Sequence, residues 1–218
     1  MRLKREKGIV MNHKKVIRIM KKYNLVAKIR KRNPYRAVMK KTSEHRIFEN
    51  KLDRKFCQVV PRKFFCADIT YVPFNHRFAY LAVVKDIASG EIVAWHLLPH
   101  ITMELVLKTA GQLKPGHKAI IHSDQGFHYS NPEYIQKIKA LAMIQSMSRK
   151  GNCIDNAPVE SFFGHLKDDV NYQDCNTFAE LYQLIENYIK YYNNERTQWD
   201  KNKMTTVEYR DHLLALAA

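Results

Sequence analysis

Three strand-like segments in close succession restrict the possible folds of this chain more than any other feature of its sequence. They span residues 64–72, 77–87 and 91–98, and Ser89-Gly90 supplies a turn between the last two. Such close spacing favours an antiparallel meander. Helices are then predicted at 102–112 and 132–141, strands at 118–124 and 142–146, and further helices from near 155, from 177 and over 206–216. This order predicts an α/β fold, a mixed five-stranded sheet flanked by helices.

The first 65 residues carry all of the excess positive charge. They contain 22 Lys and Arg against four acidic residues, a net charge of +18, whereas residues 66–218 carry −2, for a total of +16. The asymmetry favours a nucleic-acid partner, with an anionic membrane surface or a solvated charged tail as the alternatives. Residues 12–24 predict a short amphipathic helix that Asn12 caps, and residues 27–41 predict a basic connector.

Several classes of protein are excluded by what the chain lacks. Its longest uninterrupted apolar run, residues 78–84, has seven residues, far fewer than the ~20 needed to span a bilayer. No hydrophobic signal segment follows the basic N-terminus. The four cysteines show neither a C-x-x-C pair nor zinc-ligand spacing, so they are expected to be free thiols. These observations predict a cytoplasmic protein that does not enter membranes.

Three acidic residues stand where a structural role explains them poorly. Asp68 lies within a predicted strand, where aspartate is disfavoured. Asp124 ends a predicted buried strand, within a Ser-Asp-Gln-Gly turn. Glu160 lies near a helix start, but Ala157 occupies the position where a capping box needs Ser or Thr. The plain alternatives are a solvent-facing strand residue, a turn residue and a carboxylate favoured by the helix dipole.

Taken together, the three acids are expected to converge. Parallel neighbouring strands would carry Asp68 and Asp124 side by side, and the following helix would bring Glu160 over the same edge. Carboxylates in one pocket repel one another unless a cation neutralises them, and hard oxygen ligands suit Mg²⁺ or Mn²⁺. The sequence therefore predicts a site for two such ions, an arrangement that supports phosphoryl chemistry.

Several segments together resemble a known family. The chain is similar to the catalytic core of bacterial insertion-sequence transposases, of the OrfB type of the IS-three family, which belongs to the DDE superfamily and is related to retroviral integrases. The 35 residues between Asp124 and Glu160 match the D,D-35-E signature of that group. The segments are DITYVP (68–73), YLAVVKDIASGEIVAW (80–95), HSDQG (122–126), SMSRKGNCIDNAPVESFFGHLK (146–167), YYNNERTQW (191–199) and KMTTVEYRDHL (203–213).

The resemblance implies a fold, a site and a reaction. It implies an RNase H-like fold in which Asp68, Asp124 and Glu160 are the metal-binding catalytic residues. It also implies that Lys167 contacts DNA, while Gly164, on the same helical face, leaves room for a backbone to approach. The implied reaction is DNA cleavage and strand transfer without a protein nucleophile: water, and then a freed 3′-hydroxyl, attacks phosphodiester bonds.

The expected partners follow from the same resemblance. They are double-stranded DNA at the element ends and the target, further copies of the chain on that DNA, and an upstream-frame product or fusion that recognises the ends. The expected domains are a basic arm over 1–60, the catalytic core over 61–170 and C-terminal helices over 171–218. The alternative functions are a truncated, catalytically inactive DNA-binding remnant or an inhibitor of the full-length transposase, and a related nuclease that lacks strand joining.

Further side chains are candidates for contact with DNA. Arg149 and Lys150 precede a Gly-Asn turn beside the predicted site, and a solvated loop is the alternative for both. His122, two residues before Asp124, is a candidate to orient a phosphate or a metal-bound water, although a structural or exposed histidine is the more ordinary interpretation. The aromatic residues Tyr191, Tyr192 and Trp199 are capable of stacking on bases, but core packing is the expectation for them.

Overall fold

The computed structural model describes residues 2–25, 47–114, 118–149 and 153–216. Its contacts divide the chain into two compact units, residues 1–40 and 41–218. The predicted basic connector over 27–41, and Lys150, lie outside the described residues. None of the helices in the described ranges combines the length and the apolar character needed to cross a bilayer.

The first unit contains helices α1 (Arg2–Lys7) and α2 (His13–Lys22). The side chain of Asn12 accepts a hydrogen bond of 2.9 Å from the Lys14 N–H, which caps the start of α2. Asn24 adopts a left-handed backbone, with φ of 54°, just past the end of the helix. The helix predicted over 12–24 is therefore confirmed, with both ends where the asparagines indicate.

The second unit is built on a five-stranded mixed sheet. Its strands are β1 (Phe64–Phe74), β2 (Arg77–Asp86), β3 (Ile92–Leu98), β4 (Ile120–Ser123) and β5 (Ile144–Met147), in the order β3-β2-β1-β4-β5. The first three strands pair antiparallel, which confirms the predicted meander. Strand β4 pairs parallel with both β1 and β5, so the carboxyl ends of β1, β4 and β5 lie at one edge of the sheet.

Helices cover both faces of the sheet. The helices are α3 (Met103–Gly111), α4 (Phe127–Ser130), α5 (Pro132–Ala140), α6 (Ala157–Asp169), α7 (Phe178–Asn194) and α8 (Thr206–Leu216), and a 3₁₀ turn over Cys153–Asn156 leads into α6. Side chains alternate along β1: Cys66 and Val72 pack with residues of α6 and α7, whereas Phe65 and Ala67 pack with residues of α3 and α5. Both faces of β1 are therefore buried, and a polar residue on it needs a specific reason.

The structure adds details that periodicity does not give. The single turn α4 and the 3₁₀ turn before α6 were not predicted, because elements this short have no period. The segment 47–60 was assigned to the basic arm, yet Leu52 is 1% exposed and belongs to the core of the second unit. The predicted domain boundaries at 60 and 170 remain predictions. Residues 50–54 are part of the candidate site.

Two side-chain amides close the outer edge of β3. Gln112 accepts from the Trp95 N–H at 3.2 Å and donates to the Trp95 carbonyl at 2.7 Å. Asn193, on α7, pairs in the same way with both backbone groups of Ile92, at 2.9 Å each. Each amide thus occupies the donor and the acceptor that a further strand would use.

Candidate active site

Asp68 lies within β1 at the level where the neighbouring strand β4 ends, and Asp124 directly follows β4. In the parallel pairing of β1 with β4, Cys66 is the partner of His122, and each acid lies two residues beyond its member of this pair. Burial raises the pKa of the Tyr129 phenol well above its ordinary value, and both carboxylates add to this rise. The two acids therefore act on the same buried phenol, which confirms that the neighbouring strands bring them side by side.

The turn after β4 fixes the carboxylate of Asp124. The Gly126 N–H donates a 2.9 Å hydrogen bond to Asp124 Oδ1, and a Cβ added at Gly126 would lie 2.8 Å from that same oxygen. The side chain is accessible to solvent, but the surrounding protein desolvates it and raises the pKa of its carboxyl, an effect that the Gly126 N–H and His128 oppose. The Asp124 carboxylate is thus fixed by a hydrogen bond, and the described residues around it compensate its negative charge only weakly.

Helix α6 is tied directly to β1 and β2. The side-chain amide of Asn156 donates to the Ala67 carbonyl at 3.3 Å, next to Asp68. The buried Lys85 donates to the Pro158 carbonyl at 3.0 Å. Along β1, Asp68 alternates in phase with Cys66, whose face of the sheet α6 covers. Glu160, in the first turn of α6, therefore belongs to the same side of the sheet as Asp68.

The three acids do not form a closed cluster. Within the described ranges, no three His, Cys, Asp or Glu side chains are grouped closely enough to hold a metal ion. The structure brings Asp68 and Asp124 together and places α6 beside them, but it does not bring the Glu160 carboxylate onto the other two. Like charges repel, so the joining of all three requires a cation.

Lys167 lies two turns after Glu160 on α6. Its ammonium group is 4.6 Å from the centre of the Tyr71 ring, a cation–π distance. The ring of Tyr71 is 39% exposed, and it packs edge-on against the exposed Phe78. The cation is therefore held beside an accessible aromatic surface, three residues along β1 from Asp68.

His122 does not have the role of a DNA contact. It is 1% exposed, and its two ring nitrogens lie 2.9 Å and 3.2 Å from the hydroxyl oxygens of Ser146 and Ser148. Burial lowers the pKa of His122 to about 4, against a weaker opposing effect of Asp155, so the ring is neutral at pH 7. The candidate assignment to DNA binding is thus wrong: the histidine links β4 to β5 and to the residues after it.

Arg149 is oriented by Asp155. Its Nε and Nη2 lie 3.1 Å and 3.2 Å from the two carboxylate oxygens, and its backbone N–H donates to Oδ2 at 3.1 Å. Arg54 binds the same carboxylate through Nε at 2.8 Å. The bonds from the two arginines hold the pKa of Asp155 well below its ordinary value. Arg54 was not predicted as a site residue, because nothing in the sequence distinguishes it from the other basic residues, 22 in total, among the first 65.

The aromatic residues near the C-terminus have different surroundings. Tyr192 is 1% exposed and Tyr191 packs against the same core, as expected for both. Trp199 is 72% exposed, with Lys203 Nζ 4.8 Å from its ring centre, so the expectation of core packing is wrong for this residue. It lies in the loop between α7 and α8, where a lone aromatic residue has no periodic neighbours to indicate burial.

The known proteins that resemble this chain agree with the geometry of the site. Two protein-family profiles, both described as integrase core domain, match residues 60–153 and 160–214. An uncharacterized transposase-like protein of Haemophilus influenzae is 37% identical over 98% of this chain and 100% of its own length. The putative transposase InsK for insertion sequence element IS150 of Escherichia coli K12 is 35% identical over 94% of this chain and 73% of its own.

Solved structures agree on the fold. The simian T-cell lymphotropic virus intasome in complex with a PP2A regulatory subunit contains a chain that superposes with a TM-score of 0.59 at 16% identity, over 88% of this chain and 66% of that one. The HTLV-2 integrase catalytic core domain in complex with magnesium superposes with a TM-score of 0.56 at 17% identity, over 69% and 97%. The sheet and its flanking helices therefore form an RNase H-like fold. On these matches, the chain belongs to the IS-three family of insertion-sequence transposases, which are DDE transposases with an integrase core domain.

Proposed function

We propose that this transposase is a metal-dependent polynucleotidyl transferase that cleaves DNA and joins the freed 3′ end to a target. The observation that carries the proposal is the parallel pairing of β1 with β4, whose register brings Asp68 level with Asp124, with the helix that bears Glu160 tied to the backbone beside Asp68. In this proposal Asp68, Asp124 and Glu160 are the catalytic residues.

The same three side chains are proposed to hold the cofactor, Mg²⁺ or Mn²⁺, as two ions. The donor set fits, because all three ligands are carboxylates and hard cations prefer oxygen. The raised pKa of Asp124 supports the fit, since a desolvated and weakly compensated carboxylate favours a cation. When bound, two ions would activate the attacking oxygen and neutralise the leaving oxygen. The magnesium named for the HTLV-2 integrase core is consistent with this choice.

The chain's own residues position the reacting groups. Gly126 orients the carboxylate of Asp124, and Asn156 and Lys85 fix the start of α6, so that Glu160 approaches from one side only. Lys167 is proposed to bind a DNA phosphate, and its place beside the Tyr71 ring leaves the ammonium near accessible surface. Arg149 and Lys150 are proposed as further contacts to the DNA backbone.

The proposed partners are double-stranded DNA at the element ends and at the target. Assembly of several copies on that DNA is proposed from the similarity to the intasome chain. Recognition of the ends by an upstream-frame product or fusion, and action in the bacterial cytoplasm, belong to the same proposal.

Metal dependence and product type test this function. The purified chain is incubated with a duplex that carries the terminal sequence of its own insertion sequence and with a target plasmid, in Mg²⁺, Mn²⁺ or EDTA. Cleaved and joined strands are expected with either metal, and neither product is expected in EDTA. Without a metal ion, the carboxylates provide no positive charge to neutralise the phosphate. Joined products with EDTA present would contradict the metal site.

The same assay separates the alternative functions. A chain that nicks the duplex but forms no joined strands would be a nuclease. A chain that binds the duplex and forms no product in any metal would be an inactive DNA-binding protein. The proposal survives only if joined strands are found.

Gly126→Ala is expected to lower the rate of strand joining about 100-fold, the effect of a shift of ~1 Å in a catalytic group. The new Cβ would lie 2.8 Å from Asp124 Oδ1, so the carboxylate has to move. The backbone itself tolerates alanine, because φ is −64° and ψ is 153°. Gly111→Ala is the control, since its Cβ would meet nothing closer than 3.8 Å. Equal rates for the two variants would contradict this role of the glycine.

A further inference from the structure

A buried carboxylate lies at the start of the helix that carries Glu160. Asp155 is 1% exposed and accepts hydrogen bonds from two segments that are far apart in the sequence. The donors are Asn50 Nδ2 and Arg54 Nε from residues 50–54, and the backbone N–H, Nε and Nη2 of Arg149 from the end of β5. Two guanidinium groups therefore share one carboxylate, which leaves one positive charge uncompensated among these three side chains.

The two arginines use this carboxylate differently. Arg149 faces it with Nε and Nη2 together, and its Nη1 lies 3.9 Å from the exposed Asp53. Arg54 faces it with Nε alone, at 2.8 Å. Within the described part of the chain, Nη1 and Nη2 of Arg54 make no hydrogen bond, and the side chain is 42% exposed. The guanidinium of Arg54 is thus anchored to Asp155 through Nε, and the bond to the carboxylate does not use its two terminal nitrogens.

That arrangement suits a phosphate. The two terminal nitrogens of arginine form a planar fork that binds two phosphate oxygens at once. A guanidinium already fixed by a buried carboxylate loses less conformational entropy on binding than a mobile one. An ion pair that only held residues 50–54 in place would not require a second arginine on the same carboxylate.

The pair lies at the edge of the sheet where the acids lie. Ser123 of β4 is the register partner of Met147 of β5, so Asp124 and Arg149 follow the ends of neighbouring strands, which are ~5 Å apart. Glu160 is five residues after Asp155, at the first turn of α6. A DNA strand with one phosphodiester at the acids carries a phosphate every ~3.4 Å along the helix axis, so a nearby phosphate reaches the arginines.

We propose that Arg54, anchored by Asp155 and flanked by Arg149, binds the DNA backbone at a phosphate next to the one that reacts. This inference rests on the proposed function, because it takes DNA as the substrate. Arg54 is a positioning residue here: it holds the strand in register with the carboxylates and does not touch the reacting atoms.

Salt-dependent DNA binding by the full chain tests the proposal. Affinity for a labelled 30-base-pair duplex is measured by fluorescence anisotropy over a series of salt concentrations. Arg54→Ala is expected to weaken binding about tenfold, the effect of losing a charge-assisted hydrogen bond, and to reduce the slope of log K against log[salt] by about 0.9. Arg54→Lys is expected to keep the slope and to lose part of the affinity, because a point charge replaces the fork.

Arg62 provides a matched control. Its side chain is 46% exposed and paired with a carboxylate, Glu91, and its φ of 61° is close to the 59° of Arg54. It precedes β1, six residues before Asp68 and nine before Tyr71 along an extended strand. Arg62→Ala is therefore expected to bind DNA like the wild type. A role of Arg54 in structure alone would lower the melting temperature and leave the salt slope unchanged.

The outcomes separate this inference from the proposed function. If Arg54→Ala and Arg62→Ala show the same salt slope while the wild type joins strands, the phosphate contact is overturned and the proposed function stands. If Arg54→Ala alone has a smaller slope of log K against log[salt] and a lower affinity, while the wild type forms no product, the contact is supported and the proposed function fails. A wild type that binds no duplex overturns both.

Discussion

Asp124→Asn is expected to abolish cleavage and joining of DNA and to raise the thermal stability of the chain at pH 7. A metal ligand that stabilises transition-state charge contributes several kcal/mol, so the rate should fall by about 1,000-fold or more. Asparagine keeps the oxygen that accepts the Gly126 N–H and removes a desolvated negative charge. Function and stability therefore change in opposite directions, as is common at active sites.

The gain in stability has a defined pH dependence. The pKa of Asp124 is raised above its ordinary value of 3.8 in the folded chain, so the cost of the carboxylate to stability begins as the pH rises through 3.8 and is complete once the pH exceeds the folded pKa. The melting temperatures of wild type and variant should therefore coincide below about pH 3.8 and diverge as the pH rises. Adding Mn²⁺ should stabilise only the wild type.

The exposed Asp168, on α6, supplies the control for Asp124. Asp168→Asn should change neither the rate of joining nor the response to Mn²⁺. A melting temperature for Asp124→Asn below that of the wild type at pH 7, or an equal response of both to Mn²⁺, would contradict the assignment of Asp124 as a weakly compensated metal ligand.

Asp155→Asn should lower the free energy of unfolding by about 3 kcal/mol, the lower end of the range for breaking a buried ion pair. The side chain is 1% exposed and accepts five hydrogen bonds, so asparagine leaves two arginines without their counter-ion and places an amide group among donors. Half-exposed guanidinium groups recover some hydration, which keeps the loss below the upper end of that range.

Urea unfolding measures this loss and its pH dependence. The folded pKa of Asp155 is lowered, so its contribution is present above the ordinary value of 3.8 and is lost as the pH falls through the folded pKa. Asp53→Asn is the control: this acid is 62% exposed and 3.9 Å from Arg149, so its loss should cost less than ~0.5 kcal/mol. Equal midpoints for the two variants would contradict the assignment of Asp155 as a structural anchor.

The sheet and the pairing of two acids were predictable from the sequence. Strand patterns indicated the meander, and the parallel pairing that was expected to carry Asp68 beside Asp124 is the one that β1 and β4 make. The strand pattern therefore predicts which residues lie at the same edge of the sheet. The predicted closure of Glu160 onto these acids is not seen among the described residues, because it depends on the rotamer of one side chain and on a cation that neutralises the group.

The roles of two other side chains depend on hydrogen-bond partners that are distant in the sequence. Asp155 lies where the sequence predicts the start of a helix, a position at which aspartate is common, whereas the arginines that it binds are residues 54 and 149. His122 was a candidate contact because it lies near Asp124, but the two serines that enclose it are 24 and 26 residues away. Sequence proximity to a site does not indicate whether a polar side chain faces the ligand or the core.

The two amides at the outer edge of β3 have a consequence for synthesis of the chain. Gln112 follows Leu98, the end of the meander, by 14 residues, whereas Asn193 is added 95 residues after Leu98. At 5–20 residues per second, the Ile92 end of the edge therefore emerges from the ribosome roughly 5–20 s before its cover exists. Through that interval, chains made on neighbouring ribosomes present the same open strand to one another, and completion of α7 ends this exposure.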